Sequence, residues 1–94
     1  MNAIIIYEIS ARKDEVKTQM VTLGYYARWS ANEIIYNLPS QAIWKPNIDL
    51  KAALSEFQGV IKRLNAIPNA NIITIERCIV LSVNPWEGMV GNPL

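Results

Sequence analysis

The chain has 94 residues, of which 51% are hydrophobic and 18% are charged. This length is enough for one domain with a single core, and the composition excludes a disordered tail. Nine Lys and Arg nearly balance eight Asp and Glu, which excludes a global basic field that holds nucleic acid through its phosphates. We expect a single domain over residues 1–94, with more apolar surface than a monomer of this size buries.

Cysteine usage and the first residues predict a cytoplasmic protein. Cys78 is the single cysteine in the sequence, so an internal disulfide is excluded. The start, MNAIII, has none of the basic region, apolar span and cleavage site that are typical of a signal peptide. No apolar run is long enough to cross a bilayer, and we therefore expect no membrane partner.

The first predicted element is a strand over residues 3–9. This stretch, AIIIYEI, is rich in β-branched residues and is followed by the polar segment SARKDE. Both of its faces are apolar apart from Glu8, which is typical of a central strand covered on both sides. The sequence therefore predicts a buried strand with a carboxylate near its end.

The second predicted element is an amphipathic helix over residues 12–23. Val16, Met20 and Leu23 recur at helical spacing, and the pattern stops at Gly24. Glycine is the residue that most readily adopts the left-handed conformation of a helix C-terminal cap. A helix ending at Gly24 is therefore expected.

Two aromatic and β-branched runs follow, at residues 25–30 and 33–38. They are joined through Ser30, Ala31 and Asn32, a connection whose length and polarity favour a β-hairpin. Residues 39–47, PSQAIWKPN, are predicted to be a connecting loop, because Pro39 and Pro46 lack backbone donors. Trp44 is expected to anchor this loop.

The strongest periodic pattern predicts a helix over residues 48–64. Asn47 or Asp49 can cap its start, and Lys62 and Arg63 near its end complement the helix dipole. Apolar residues recur at spacings of three and four and predict one buried stripe. The stripe consists of Leu50, Leu54, Phe57, Ile61 and Leu64.

Residues 71–83, NIITIERCIVLSV, predict one long strand or two strands joined by a bend. The two alternatives arise because Glu76 and Arg77 interrupt an otherwise apolar run. Residues 84–94 form a tail with two Pro and two Gly. We expect this C-terminal tail to be able to cross to a partner subunit.

The order of these elements predicts an α+β fold. Strand, helix, strand, strand, helix, strand matches the ferredoxin-like βαββαβ arrangement, an antiparallel sheet with two helices on one face. The other sheet face would then carry Ile4, Ile6 and Glu8 and would stay uncovered in a monomer. We expect a homodimer through this face, with Ile4, Ile6 and Trp86 of the tail at the interface.

Four segments carry a resemblance to a known family. The first strand ends in YEIS, the first helix closes on LG, the second strand reads YARWS, and a late strand runs into a tail. In these features the chain resembles the CRISPR-associated Cas-two family. The resemblance implies a small ferredoxin-fold dimer, a non-catalytic or weakly nucleolytic partner in spacer acquisition, whose fold certain toxins and antitoxins share. That family typically has Asp where Glu8 stands, and its DNA-binding members are more basic, which counts against nuclease activity.

Glu8 has two interpretations. In a twofold dimer, two Glu8 carboxylates could approach each other and hold one Mg²⁺, an ion that needs one or two protein carboxylates. Alternatively, Glu8 lies at the solvated end of the strand or forms an ion pair with Arg28 or Arg77. We favour this structural interpretation, because single acidic residues are common at strand ends and many perturbed acidic groups belong to structural ion pairs.

Two neighbouring pairs, Arg28–Trp29 and Trp44–Lys45, combine an aromatic ring with a cation. Such pairs can stack a base and neutralise a phosphate in single-strand binders. The alternative is a structural role, in which the aromatic rings seal loop and dimer edges. We favour the structural role, and nucleic acid remains a candidate partner.

Several kinds of chemistry are excluded by the composition. The sequence has no His, which excludes Ser-His and Cys-His nucleophilic pairs and His-containing zinc sites. The four glycines match no nucleotide-binding fingerprint. Cys78 lies in an apolar strand and is interpreted as a core residue rather than a nucleophile.

Three function classes are compatible with these patterns. A dimeric interaction or regulatory module, with a protein partner, needs only its surfaces and ranks first. A nucleic-acid-binding adaptor with a local basic groove ranks second, and a metal-dependent nuclease with paired Glu8 carboxylates ranks third. No cofactor is expected except Mg²⁺ in the third class, so whether the protein is an enzyme stays open.

Overall fold

The computed structural model describes residues 2–31 and 34–82. Within them the chain is an α+β protein with a three-stranded antiparallel sheet, a separate two-stranded hairpin and two helices. The elements are β1 (Ala3–Ile9), α1 (Lys13–Thr22), β2 (Arg28–Ala31), β3 (Ile34–Asn37), β4 (Ala42–Lys45), α2 (Leu50–Asn65) and β5 (Ile75–Ser82).

β1 is the central strand of the three-stranded sheet. It pairs antiparallel with β4 on one side and with β5 on the other, in the order β4-β1-β5. Ile4 lies opposite both Trp44 and Leu81, which gives the register of the sheet. The prediction that residues 3–9 form a central strand is confirmed.

One side of β1 forms the base of the hydrophobic core. Its inward residues are at most 2% exposed and belong to one buried cluster with residues of both helices. The ring of Tyr7 lies against the ring of Phe57, with 5.0 Å between centroids. The inward residues of β1 are Ala3, Ile5, Tyr7 and Ile9, and they pack with Val16, Met20, Ala53, Phe57, Val60, Ile61 and Leu64.

The helix ends follow the predicted capping chemistry. Gly24 has φ 97°, which L side chains rarely adopt, and it follows the last turn of α1. Of the two candidate caps for α2, Asp49 is the one used, because its Oδ1 accepts a hydrogen bond from the Ala52 N–H at 2.7 Å. Lys62 and Arg63 lie in the last turn of α2, as expected.

The predicted loop over residues 39–47 is wrong in its centre. Residues 42–45 form β4, which pairs with β1, so Trp44 is a strand residue and the described chain has five strands instead of four. Pro39 and Pro46 lie outside the strand, where their missing donors remove no ladder bond. The stability of this short strand comes from pairing with a distant segment, which a local pattern does not show.

The buried stripe of α2 is rotated relative to the predicted one. Ala53 and Val60 are fully buried, whereas Leu50 and Leu54 are each 37% exposed. The predicted residues Phe57, Ile61 and Leu64 belong to the core. The first two turns of α2 therefore present Ala53, a small residue, to the core and leave two leucines at its margin.

β5 is a single strand, and Glu76 and Arg77 lie within it. The segment before it, at residues 71–74, is not a strand but is held to α2 by the side-chain amide of Asn65. This amide donates to the Ile73 carbonyl at 2.9 Å and accepts from the Ile73 N–H at 2.7 Å. Of the two alternatives for residues 71–83, the single strand is correct; residues 84–94 and Trp86 lie outside the described residues.

Candidate interaction surface on the open sheet face

The side of the sheet opposite the core is called the open face here. Directly opposite residues of paired strands point to the same side, so the register assigns its residues. The outer row is Trp44, Ile4 and Leu81, the middle row is Ala42, Ile6 and Ile79, and the charged pair is Glu8 and Arg77. The placement of Ile4, Ile6 and Glu8 on one face agrees with the sequence analysis.

The open face leaves large apolar side chains exposed. Ile6 is 44% exposed, Ile79 is 55% exposed and Leu81 is 47% exposed. Large apolar side chains exposed side by side on one face are typical of interaction sites. The apolar character of the last strand is evident in the sequence, but Ile79 and Leu81 were not named as interface residues, although their period-two spacing in β5 places them on one side of the strand.

Aromatic residues close one side of the open face at the outer row. Tyr26 forms a β-bridge with Trp44, and their ring centroids are 5.2 Å apart. The Trp44 Nε1–H donates a hydrogen bond to the Arg28 carbonyl at 2.8 Å, which connects β4 with the start of the hairpin. Ile4, directly opposite Trp44, is only 9% exposed. The uncovered apolar area is therefore greatest at Ile6, Ile79 and Leu81.

The charged pair ends the open face. Glu8 lies opposite Arg77 in the ladder, and Arg77 Nη1 is 3.9 Å from Glu8 Oε1. Their side chains are 53% and 79% exposed. Of the two arginines considered as partners of Glu8, Arg77 is the one that contacts it. An exposed pair at this distance contributes little to stability, about 0–1 kcal/mol.

A groove of about 400 Å³ lies between the middle row and the charged pair. Ile6 and Ile79 supply apolar walls, and Glu8 and Arg77 supply charges of opposite sign. Ser40 and its neighbour Pro39, from the segment before β4, complete the rim on the other side. The groove thus combines an apolar base with one acidic and one basic group, a combination suited to a partner surface of the same composition.

The predicted Mg²⁺ site involves one carboxylate from each of two chains. Among residues 2–31 and 34–82, no three His, Cys, Asp or Glu side chains are grouped closely enough to hold a metal ion. A site made by two Glu8 residues from two copies remains a prediction. In the single chain, the partner of Glu8 is a cation instead of a second carboxylate.

The candidate nucleic-acid residues Trp44 and Lys45 lie on opposite faces of β4. Trp44 belongs to the open face, whereas Lys45 points to the helix side, where its Nζ lies 3.2 Å from Glu56 Oε1 and over the ring of Tyr25 at 5.3 Å. The two side chains therefore do not converge on one ligand. For the other pair, Arg28 is exposed, and the side chain of Trp29 lies outside the described residues.

Cys78 is a partly buried residue on the helix side of β5. It lies opposite Tyr7 and packs against the core cluster. Burial raises the pKa of its thiol, which lowers the thiolate fraction at neutral pH. This environment supports the interpretation of Cys78 as a core residue.

Neither described helix is long and apolar enough to cross a membrane. The chain matches no protein-family model, and no curated protein or solved structure is significantly similar to it. Function must therefore be inferred from the geometry of the chain itself, and the open face is its most distinctive surface.

Proposed function

We propose that the protein is a homodimeric interaction module in which two copies pack their open faces together. The observation that carries the proposal is the uncovered apolar patch formed mainly by Ile6, Ile79 and Leu81. The buried centre of a protein–protein interface is mostly apolar, and two such patches facing each other would supply a centre of this kind. A second copy is therefore a suitable cover.

The topology supports a ferredoxin-like version of this fold. β1 lies between β4 and β5, as the first strand does in that arrangement, and one buried cluster joins it to both helices. The isolated bridge between Tyr26 and Trp44 connects the start of the β2–β3 hairpin with β4, and this contact supports our proposal that the three strands correspond to the central ββ unit of the βαββαβ order. This arrangement agrees with the resemblance to the Cas-two family, whose members are small dimers.

The chemistry of the open face favours an interaction or regulatory role over a nuclease. Glu8 contacts Arg77, and a cation beside a carboxylate competes with a metal ion for its oxygens. The composition supports a cytoplasmic location, because the single cysteine requires no oxidising compartment. The dimer offers its helix side and its hairpin to a protein partner.

Light scattering at micromolar concentration tests the dimer. We expect the wild type to have twice the chain mass of 10.6 kDa. Ile79→Lys should shift it to the monomer mass, because an unpaired charge at a dry interface costs several kcal/mol. Circular dichroism should show the wild-type fold in this variant, since Ile79 is 55% exposed in one chain.

Ile67→Lys is the matched control. The exposed fraction of Ile67 is 49%, similar to that of Ile79. Ile67 lies in the segment after α2, outside the open face. This variant should remain dimeric. A wild type with the mass of one chain, or an Ile79→Lys variant that stays dimeric, contradicts the proposal.

A further inference from the structure

We infer that the charged pair lies at the twofold axis of the dimer, where Glu8 of each copy binds Arg77 of the other copy. This inference rests on the proposed dimer and adds the register in which the two open faces meet. The partner is a second copy of this chain, recognised by an apolar row and by two charges of opposite sign.

The first step is the position of the uncovered surface. Ile6 and Ile79 of the middle row line the same groove as Glu8 and Arg77. Residues two apart along a strand are separated by about 7 Å, so a side chain that covers Ile6 also approaches Glu8. A partner that buries the middle row must therefore contact the charged pair.

The second step is the cost of covering the charges. If a partner placed apolar residues over Glu8 and Arg77, it would remove them from water without supplying new hydrogen bonds. A register that puts the outer row of the second copy over the charged pair, with Leu81 above Glu8, has this cost. When the charged pairs of the two copies face each other, each charged side chain contacts a side chain of opposite charge from the other copy.

The third step is symmetry. In a twofold interface, if one residue contacts a second residue of the other copy, the reciprocal contact forms as well. One Glu8–Arg77 contact between copies therefore implies two, and the four side chains alternate in sign. No other protein is needed to supply the complementary charges.

The fourth step is the bonding capacity of the pair. The contact within one chain is long, at 3.9 Å, and both side chains are more than half exposed. A guanidinium group has five N–H donors, and a carboxylate accepts several hydrogen bonds. Each side chain can thus bind the second copy while it keeps its neighbour in its own chain.

The test mixes two charge-reversal variants, Glu8→Arg and Arg77→Glu. Each variant alone brings four like charges to the axis, whereas in the mixed dimer every contact between copies joins a positive side chain of one chain to a negative side chain of the other. Native mass spectrometry separates the three dimers by mass. We expect the Kd of the mixed dimer to be at least about tenfold lower than that of either homodimer, because like charges at an interface cost several kcal/mol.

Asp14→Arg and Lys13→Glu are the matched controls. Both residues are exposed in the first turn of α1, outside the open face, and the two changes alter the net charge by the same amounts as the two test variants. The control mixture should give the statistical proportion of mixed dimers, with half of the dimers containing one chain of each kind.

The outcomes separate the register from the dimer itself. A monomeric wild type removes both proposals. The wild type could be dimeric while the charge-reversal mixture forms no more mixed dimer than the control mixture. This result would be compatible with the homodimer and would contradict the proposed register. A mixed-dimer excess that is absent from the control and falls as salt is added supports the four-charge contact.

Discussion

Tyr25 has a polar group that must be satisfied although the residue is almost completely buried. It is 1% exposed, and its hydroxyl group donates a hydrogen bond to Glu56 Oε1 at 2.9 Å. Lys45 Nζ lies 3.2 Å from the same oxygen, so one carboxylate of α2 holds a side chain from β4 and one from the segment after Gly24. This three-residue contact fastens the edge of the sheet to the second helix.

The Tyr25 hydroxyl should make stability depend on alkaline pH. Desolvation by burial raises the pKa of Tyr25 above its ordinary value of 10.0, and the bond to Glu56 raises it further. The folded state therefore binds the phenolic proton more tightly than the unfolded state. The stability that this provides is complete below about pH 10 and is lost as the pH rises through the folded-state pKa.

Tyr25→Phe should flatten this pH dependence. Urea unfolding between about pH 9 and pH 11 should show a smaller loss of stability in the variant than in the wild type. Burial also raises the pKa of Tyr7, so the slope should decrease without vanishing. Equal slopes in the wild type and Tyr25→Phe would contradict the prediction.

At the scale of the element, α2 contributes to the core through its middle turns. Phe57 is fully buried against Tyr7, whereas Leu54, three residues earlier, is 37% exposed. Both residues belong to the same apolar pattern in the sequence, and the structure distinguishes them by the direction in which they point. Their contributions to stability should therefore differ.

Substitutions in α2 should show this difference. Phe57→Ala should lower the free energy of unfolding by about 3–5 kcal/mol, because it leaves a cavity in the core. Leu54→Ala should cost less than about 1.5 kcal/mol, since much of its side chain already contacts water. Urea unfolding measures the free energy of unfolding of both variants. Similar costs for Phe57→Ala and Leu54→Ala would contradict the assigned orientation.

The elements that the sequence predicts well are those with a local signal. β1, α1, the hairpin and α2 each have a periodic pattern with capping or turn residues, and all four are present. β4 has four residues between two prolines, and its stability depends on pairing with β1, a segment distant from it in the sequence. The open face was predicted at Ile4, Ile6 and Glu8 because alternation along one strand is local, whereas the choice of Arg77 over Arg28 as the partner of Glu8 depends on the register of β5.

At the scale of the whole molecule, positive and negative side chains nearly balance, and several cations have a partner in the chain. The formal net charge is +1. Within residues 2–31 and 34–82, three cations are in ion pairs, Arg12 with Glu15, Lys45 with Glu56 and Arg77 with Glu8. The Lys17 ammonium group donates to the Ser40 carbonyl. A phosphate backbone would have to compete with these partners for the same cations.

Binding to generic duplex DNA should therefore be weak and sensitive to salt. We expect a Kd no lower than about 10 µM at physiological salt, near the range of non-specific binding, and a steep loss of affinity as salt rises. Fluorescence anisotropy with a labelled duplex at several salt concentrations measures the Kd and its dependence on salt. Tight binding that persists at high salt would favour the nucleic-acid adaptor, and Arg28→Ala would then be the first variant to examine.

The central position of β1 has a consequence for the order in which the protein is made. Ala3 pairs with Lys45 and with Ser82, so both neighbours of the first strand come from much later in the chain. A ribosome releases the isoleucines of β1 well before β5 exists, while α1 and the β2–β3 hairpin need only nearby residues. Pairings over such sequence separations close slowly and leave apolar segments open to other nascent chains. The central strand of the sheet is thus synthesised first and remains without its two neighbouring strands until β4 and β5 have been synthesised.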